Sequence, residues 1–306
     1  MVFFIVNPYS HYGGGAKIWI RLERALKRGK VEYESYLTAR PGDARRFART
    51  ITEGSREPKS IVIVGGGGTL NEVLDGLAFG GKITLGYIAA GRNNDLARSL
   101  KLPMTPKEGL KRVLASRSYR LLDYGVLTLG SRAEHRRFAV SAGIGMDASV
   151  CRELLDVPVK RPVRMLGLEQ PVCILVGLKK LIRAKPVKGY IILDRTRKVE
   201  FNHIYFISAH ILPFEGGFQL APQANGDDGC LSVCVVDHVS KWRLFTIMLS
   251  ALFLRKRGRT GIRTYKCREA FMHVDRPMAS HADGEDCGVW SDLQAQCIEK
   301  KLRVIV

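Results

Sequence analysis

The segment Ile61-Val62-Ile63-Val64-Gly65-Gly66-Gly67-Gly68-Thr69-Leu70-Asn71-Glu72-Val73 joins a strand-like run to a helix-like one through four consecutive glycines. Glycine accepts positive φ and lets a ligand approach the backbone closely. A helix N-terminus adds free N–H groups and the positive end of its dipole. Together these features cradle phosphate. No GK[ST] follows, so the loop is not a P-loop, and the glycine spacing is not that of a dinucleotide fingerprint. The competing reading is a plain glycine-rich turn. The next strand-like run, Leu85-Gly86-Tyr87-Ile88, leads into Ala89-Ala90-Gly91-Arg92-Asn93-Asn94-Asp95-Leu96-Ala97-Arg98. Two adjacent strands of an open parallel sheet would thus both end in phosphate-friendly turns, at the strand ends where ligands bind. Asp95 and Arg98 are candidates for metal and phosphate contacts, although Asn-Asn-Asp alone is a common helix cap.

The elements around these turns alternate over the first third of the chain. Apolar strand-like runs at 2–6, 31–37, 60–64 and 83–87 are separated by helical patterns. The helix over 14–28 places Ile18, Leu22, Ala25 and Leu26 on one face. Asp43 is positioned to cap a helix running to Thr52, and segments 71–77 and 106–115 read as further helices. This alternation predicts a doubly wound α/β domain with a parallel sheet. Beyond about residue 121 the strand signals crowd together, at 126–129, 138–142, 187–193, 199–207, 231–236 and 270–274. Helices over 165–184 and 241–257 interrupt them. That spacing predicts an all-β, antiparallel sandwich. The stretch 301–306 is again strand-like and is expected to return to the first domain. The expected division is therefore 1–120, with about 290–306, for the α/β domain and 121–289 for the sandwich.

With the loops placed, the sequence resembles the catalytic domain of the diacylglycerol and sphingosine kinases. That family's glycine loop reads G-G-D-G-T-x-N-E and its second loop P-x-G-T-x-N-D-x-A-R. The resemblance runs along nearly the whole chain. Asn7-Pro8-Tyr9-Ser10 matches the family's N-P-x-S opening. Phe138 followed by Gly145-Met146-Asp147-Ala148 is similar to the start of its second domain. Glu215-Gly216-Gly217, Ala221-Pro222-Gln223-Ala224 and Asp227-Asp228-Gly229 match its A-P-x-A…D-D-G stretch, and His281-Ala282-Asp283-Gly284-Glu285 its D-G-E.

The resemblance implies an ATP- and Mg²⁺-dependent lipid kinase that phosphorylates a hydroxyl of diacylglycerol or a related lipid. Nucleotide contacts are expected from Asn7 and Ser10 in the opening, Thr38 at the second strand's end, and Gly65, Gly66, Gly67, Gly68 and Thr69 in the loop. Asn71 and Glu72 on the following helix, and Gly91, Arg92 and Asn94 in the second turn, complete that set. Lys17, on the first helix, is expected to add charge, with a solvated helix lysine as the competing reading. Glu285 is the expected proton acceptor, with Asp283 and Asp95 as further catalytic candidates. A structural Mg²⁺ is implied at Asp228 and at backbone carbonyls of Asn225 and Cys230.

Three positions depart from the family pattern. Gly67 stands where the loop carries aspartate, Arg92 where the second loop carries threonine, and Ala89 where that loop begins with proline. The missing aspartate helps hold the metal–nucleotide, so a catalytically impaired member that binds nucleotide or lipid without efficient transfer is the alternative reading.

Composition bounds the partners. Lys and Arg number 49 against 29 Asp and Glu, a formal +20, which favours phosphate-rich or anionic surfaces. Basic residues flank both apolar helices: Lys160, Arg161, Arg164, Lys179, Lys180, Arg183 and Lys185 on one, Arg255, Lys256, Arg257 and Arg259 after the other. Each basic residue near an anionic leaflet contributes on the order of 1 kcal/mol. A cytoplasmic protein peripherally associated with membrane is expected, and a homodimer stays open. No nucleic-acid-binding module is recognised, so nucleic acid ranks last as a partner. Seven scattered cysteines without a CxxC pair suit a reducing compartment rather than a disulfide framework. Hydrophobic residues at 46% permit ordinary cores. The apolar runs at 171–178 and 244–254 fall short of the ~20 residues of a spanning helix.

Overall fold

A computed structural model describes residues 1–116, 118–130, 134–156, 169–252 and 262–306. The chain begins β1 (Val2–Val6), α1 (Ser10–Gly13), α2 (Gly15–Arg28), β2 (Tyr33–Leu37), α3 (Asp43–Thr52), β3 (Lys59–Gly65), α4 (Gly67–Gly76), β4 (Ile83–Ala89), α5 (Asp95–Leu100) and α6 (Pro106–Ala115). Strands β2, β1, β3 and β4 lie side by side and parallel. Their side chains alternate between two cores. Phe3, Ile5, Ile61 and Ile63 pack with Ala44, Ala48, Leu70 and Leu74 of α3 and α4. Phe4, Val6, Val62, Val64 and Ile88 pack with Trp19, Leu22 and Leu26 of α2 and Leu110 and Val113 of α6. Helices on both faces explain why these strands read as continuous apolar runs.

The remainder is mostly antiparallel. It comprises β5 (Tyr119–Leu129), β6 (Glu134–Phe138), β7 (Ser141–Gly145), α7 (Met146–Asp156), α8 (Glu169–Arg183), β8 (Val187–Leu193), β9 (Arg197–His210), β10 (Phe214–Glu215) and β11 (Phe218–Gln219). β12 (Leu231–Asp237), α9 (Lys241–Leu252), β13 (Ile262–Cys267), β14 (Glu269–Ala282) and β15 (Glu285–Ile305) follow. Long strands knit the sandwich together by changing partners along their length. The first part of β9 pairs with β8, and its last part with β7 and β12. β14 pairs with β8 before its bulge and with β7 after it. β15 leaves β14, runs along β5 and ends parallel to β4 at Arg303 and Val304. One sheet thus continues from the parallel strands into the sandwich.

Several boundaries differ from expectation. The run 138–142 is two strands, because the Asp283 carboxylate takes the N–H groups of Ala139, Val140 and Ser141 and bends the chain there. The 301–306 strand is only the end of β15. The helix expected from 71 begins at Gly67, so the glycines themselves form its first turn. Asp43 is the first residue of α3 rather than its cap. Its carboxylate accepts the Ala39 and Arg40 N–H groups before the helix and is held below the usual carboxylate range chiefly by those two bonds. Asn94 precedes α5 in the left-handed region, with its side chain turned back to Gly91 instead of capping the helix. Residues 160–168 and 253–259, with the basic residues counted there, lie outside the described residues.

Candidate active site

The β3–α4 and β4–α5 turns meet at the carboxyl edge of the parallel strands. A cleft of about 750 Å³ opens there, lined by Asn7, Ser10 and Thr38, by Gly66, Gly67, Gly68 and Thr69, and by Gly91, Arg92, Asn94 and Asp95. Glu72, Glu215, Asp283 and Glu285 complete its polar wall. Glycine is required at contact points rather than throughout. A Cβ on Gly91 would strike the Gly66 backbone, and one on Gly68 would run into the Glu285 carboxylate. The two turns therefore touch backbone to backbone, leaving the first amides of α4 uncovered by side chains. Those amides have no intrahelical partners and face the cleft.

Neighbouring side chains hold the turns rigid. The Asn7 amide donates to Thr69 Oγ1 at 3.1 Å and its oxygen accepts the Tyr9 N–H at 2.9 Å, tying the opening loop to α4. The Asn94 amide oxygen accepts the Gly91 N–H at 2.9 Å, and its nitrogen donates to the Gly91 carbonyl at 3.0 Å. The Tyr87 hydroxyl bridges the two turns, within 3.2 Å of the Gly65 carbonyl and 3.1 Å of Asn94 Oδ1. Glu72 points back to the Gly42 and Ala44 N–H groups at the start of α3, at 2.9 and 3.1 Å. Ser10 Oγ is buried on the cleft wall with no hydrogen-bond partner among the described residues. An orphaned hydroxyl and a cradle that only glycine allows both fit a bound polyphosphate.

The carboxylates divide by their partners. Asp283 accepts four bonds, from the Asn71 amide at 3.0 Å and the Ala139, Val140 and Ser141 N–H groups at 2.9, 2.8 and 3.2 Å. It is half-buried and occupied, and it positions the turn that presents Glu285 rather than offering itself for catalysis. Burial still pushes its carboxyl above the usual range despite these bonds. Asp95 reaches across to the sandwich, accepting the Gly216 and Gly217 N–H groups at 2.9 and 2.8 Å. Burial raises it to about 6, with the Glu215 charge adding to the shift. Glu285 accepts no such backbone bonds among the described residues. Burial raises its carboxyl, Glu72 and Asp283 add to the rise, and Arg92 opposes it. A carboxylate of this kind is a stronger base than usual and lies directly over the glycine loop.

Other expected residues fall elsewhere. Asn71 is buried behind the loop, bonded to the Arg137 carbonyl and Asp283, and Gly65 lies inside β3. Lys17 is exposed on α2 and is not part of the cleft wall. Its helix turns Trp19, Leu22 and Leu26 to the sheet, which sends Lys17 outward. Asn225, Asp228 and Cys230 sit apart from the cleft. There the Lys266 ammonium lies 2.9 Å from Asp228 Oδ2, while Oδ1 accepts the Cys230 N–H. A carboxylate already neutralised by lysine does not fit the implied Mg²⁺. The buried tie in that region is Asp123, which takes the Gly229 and Lys300 N–H groups at 2.7 Å each. Nor does the loop fit the family's metal–nucleotide contact, because Gly67 carries no carboxylate. Sequence reading also missed Tyr87 as a bridge between turns, and a buried group of Asp147, Glu215 and His281 whose members come from three distant segments. Only spatial proximity reveals the latter.

Comparisons with known proteins bear out the fold and its family. Residues 1–127 match the diacylglycerol kinase catalytic domain, and residues 140–306 the YegS C-terminal NAD kinase beta sandwich-like domain. YtlR of Bacillus subtilis, which carries a lipid kinase name, is 29% identical over 293 residues, covering 94% of this chain and 93% of that one. A diacylglycerol kinase of the same organism is 26% identical over 287 residues, covering 93% of this chain and 89% of its own. Among solved structures, a diacylglycerol kinase from Bacillus anthracis superposes with a TM-score of 0.72 at 18% identity, covering 99% of this chain and 96% of that one. An NAD kinase from Archaeoglobus fulgidus in complex with ATP gives 0.51 at 15% identity, covering 100% and 94%. The fold is thus an α/β domain followed by an NAD kinase-like β-sandwich, and the chain belongs to the diacylglycerol kinase catalytic-domain family of lipid kinases.

Proposed function

We propose that the protein transfers the γ-phosphoryl group of ATP to a hydroxyl of diacylglycerol or a related lipid. The observation that carries this reading is the juxtaposition of Glu285 with the uncovered amides of the glycine loop in one cleft. Phosphoryl transfer is governed by positioning and charge neutralisation more than by covalent work from the protein. The α4 N-terminus holds the phosphate chain, with Ser10 Oγ and the Gly91 turn closing around it. Glu285, made more basic by burial, accepts the proton of the attacking lipid hydroxyl. The Arg92 side chain, close enough to bias Glu285, supplies positive charge beside the transferred group. Gly67 offers no carboxylate to a metal–nucleotide, so charge neutralisation by the protein falls to the loop amides and Arg92.

The lipid is expected to arrive from an anionic membrane surface. Leu175 and Ile182 of α8 and Trp242 of α9 are 66%, 64% and 74% exposed, beside Lys179, Arg183, Lys241 and Arg243. No helix among the described residues is long and apolar enough to cross a membrane. An apolar patch edged with positive charge suits docking on a leaflet. A cytoplasmic location and a homodimer are compatible proposals of lower rank.

The absence of a loop carboxylate favours one second reading, a member that binds nucleotide or lipid without efficient transfer. Incubation with γ-labelled ATP and mixed lipid micelles distinguishes the two. Label in the lipid supports the kinase. Retained nucleotide binding with no labelled lipid at any Mg²⁺ concentration supports the second.

A further inference from the structure

Behind the cleft wall, three segments distant in sequence converge on one buried point. Asp147 lies in the first turn of α7, Glu215 ends β10 and His281 lies near the end of β14. Their side chains are 8%, 8% and 0% exposed. His281 Nε2 stands 3.4 Å from Asp147 Oδ2 and 3.6 Å from Glu215 Oε1, and one ligand atom from each residue lies within 4.8 Å of the others. A fourth side chain, His210, is fully buried with Nε2 3.4 Å from Glu215 Oε2. Asp147 Oδ1 and Glu215 Oε2 are both buried without a hydrogen-bond partner among the described residues.

As a hydrogen-bonded network this arrangement is poor. Charge-assisted N–H···O bonds run at about 2.7–2.9 Å, and none of these contacts is that short. Two buried carboxylates with orphaned oxygens are expensive to leave uncompensated. The spacing suits a different occupant. Ligands at about 2.0–2.2 Å from a tetrahedral ion stand roughly 3.3–3.6 Å from one another, which is how far His281 Nε2 lies from each of the two carboxylates. One imidazole with two carboxylates is a donor set for a borderline transition ion, since Mg²⁺ and Ca²⁺ favour all-oxygen cages. Two carboxylates and a neutral imidazole also balance a divalent charge.

We infer that Asp147, Glu215 and His281 form a binding site for a divalent transition-metal ion of the Zn²⁺ class, reached from the cleft through Glu215. This site is separate from the Asn225–Asp228–Cys230 set and does not depend on the lipid kinase reading. In the metal-free protein the Gly284 N–H donates to His281 Nδ1 at 3.3 Å, so a neutral ring carries its hydrogen on Nε2, between the carboxylates. The ion takes that place, and the ring hydrogen moves to Nδ1 at the expense of one long hydrogen bond. Bound there, the ion joins α7, β10 and β14 at the seam between the Asp95–Gly216 clasp and the D-G-E turn.

The test uses the full chain, stripped with chelator and titrated with Zn²⁺ or Co²⁺. Wild-type protein is expected to take up about one ion per chain and to melt several degrees higher at about 100-fold excess over the dissociation constant. His281→Gln and, separately, Glu215→Gln should abolish that uptake while a native circular-dichroism spectrum is retained. His273→Gln, at the half-buried His273–Asp292 pair 2.7 Å apart, should leave it intact. Should the site variants fail to fold, X-ray absorption of the Co²⁺-loaded wild type decides, with one imidazole and only nitrogen and oxygen neighbours expected. No uptake by wild type, undiminished uptake by a folded His281→Gln, or a sulfur neighbour would each overturn the assignment.

Discussion

Glu285 carries a carboxyl that burial raises above its ordinary range, with no backbone N–H bonds among the described residues of the kind that occupy Asp283 and Asp95. As a general base it works only when ionised, so activity should fall on the acid side with a midpoint above the ~4.3 of an ordinary glutamate. A pH profile of kcat/KM checks this; a limb at or below that value would contradict the assignment. Gly67 invites the opposite experiment. A Cβ there meets only the Asp283 carbonyl, at 3.5 Å, and the residue is not in the left-handed region. Gly67→Asp should therefore fold normally and raise activity at least roughly tenfold, equivalent to ~1.4 kcal/mol on the barrier. A large loss of thermal stability, or no gain, would show that the loop is not merely missing a carboxylate. These residues were legible because the glycine loop and the D-G-E turn are local motifs. Asp147, Glu215 and His281 were quoted within matched segments, but nothing local says that residues 134 positions apart share a site. The division of labour between Asp283 and Glu285, two residues apart, likewise depends on which neighbour offers N–H groups.

At the scale of elements, the site depends on two turns that touch through glycine. Gly91→Ala puts a Cβ against the Gly66 backbone, where nothing can rotate away. It should cost about 1–3 kcal/mol of stability and weaken nucleotide binding, whereas Gly67→Ala should do neither; thermal melts and nucleotide titrations compare them directly. The Asp95 clasp gives a second test. Its folded carboxyl, at about 6, holds a proton more tightly than the ~3.9 of an unfolded chain. Its contribution to stability is therefore undiminished below pH ~4, declines as pH rises to about 6, and is level above that. Asp95→Asn should flatten this part of the stability curve, and an unchanged slope would assign it to another group. Element types in the first third followed from period and glycine punctuation, and α6 matched its expected limits. Strand ends in the sandwich did not, because tertiary contacts set them. Asp283 cuts 138–142 into two strands, and β15 runs 21 residues because successive partners sustain pairing past any local signal.

At the scale of the whole molecule, a formal +20 and the exposed apolar residues of α8 and α9 act together. Binding to vesicles rich in anionic lipid should weaken steeply with salt, because surface charges are screened within ~8 Å at physiological ionic strength. Trp242→Ala should weaken it further, and salt-independent or neutral-lipid binding would count against the docking face. The central claim is that a triphosphate lies between the glycine loop and Glu285 with a lipid hydroxyl beside that carboxylate. Its most direct measurement is label transfer from γ-labelled ATP to diacylglycerol in mixed micelles, for wild type and Glu285→Gln. Wild type should label the lipid, and Glu285→Gln should lose about 10²–10⁴-fold in rate while binding nucleotide as before. Equal labelling by the two proteins would contradict the account.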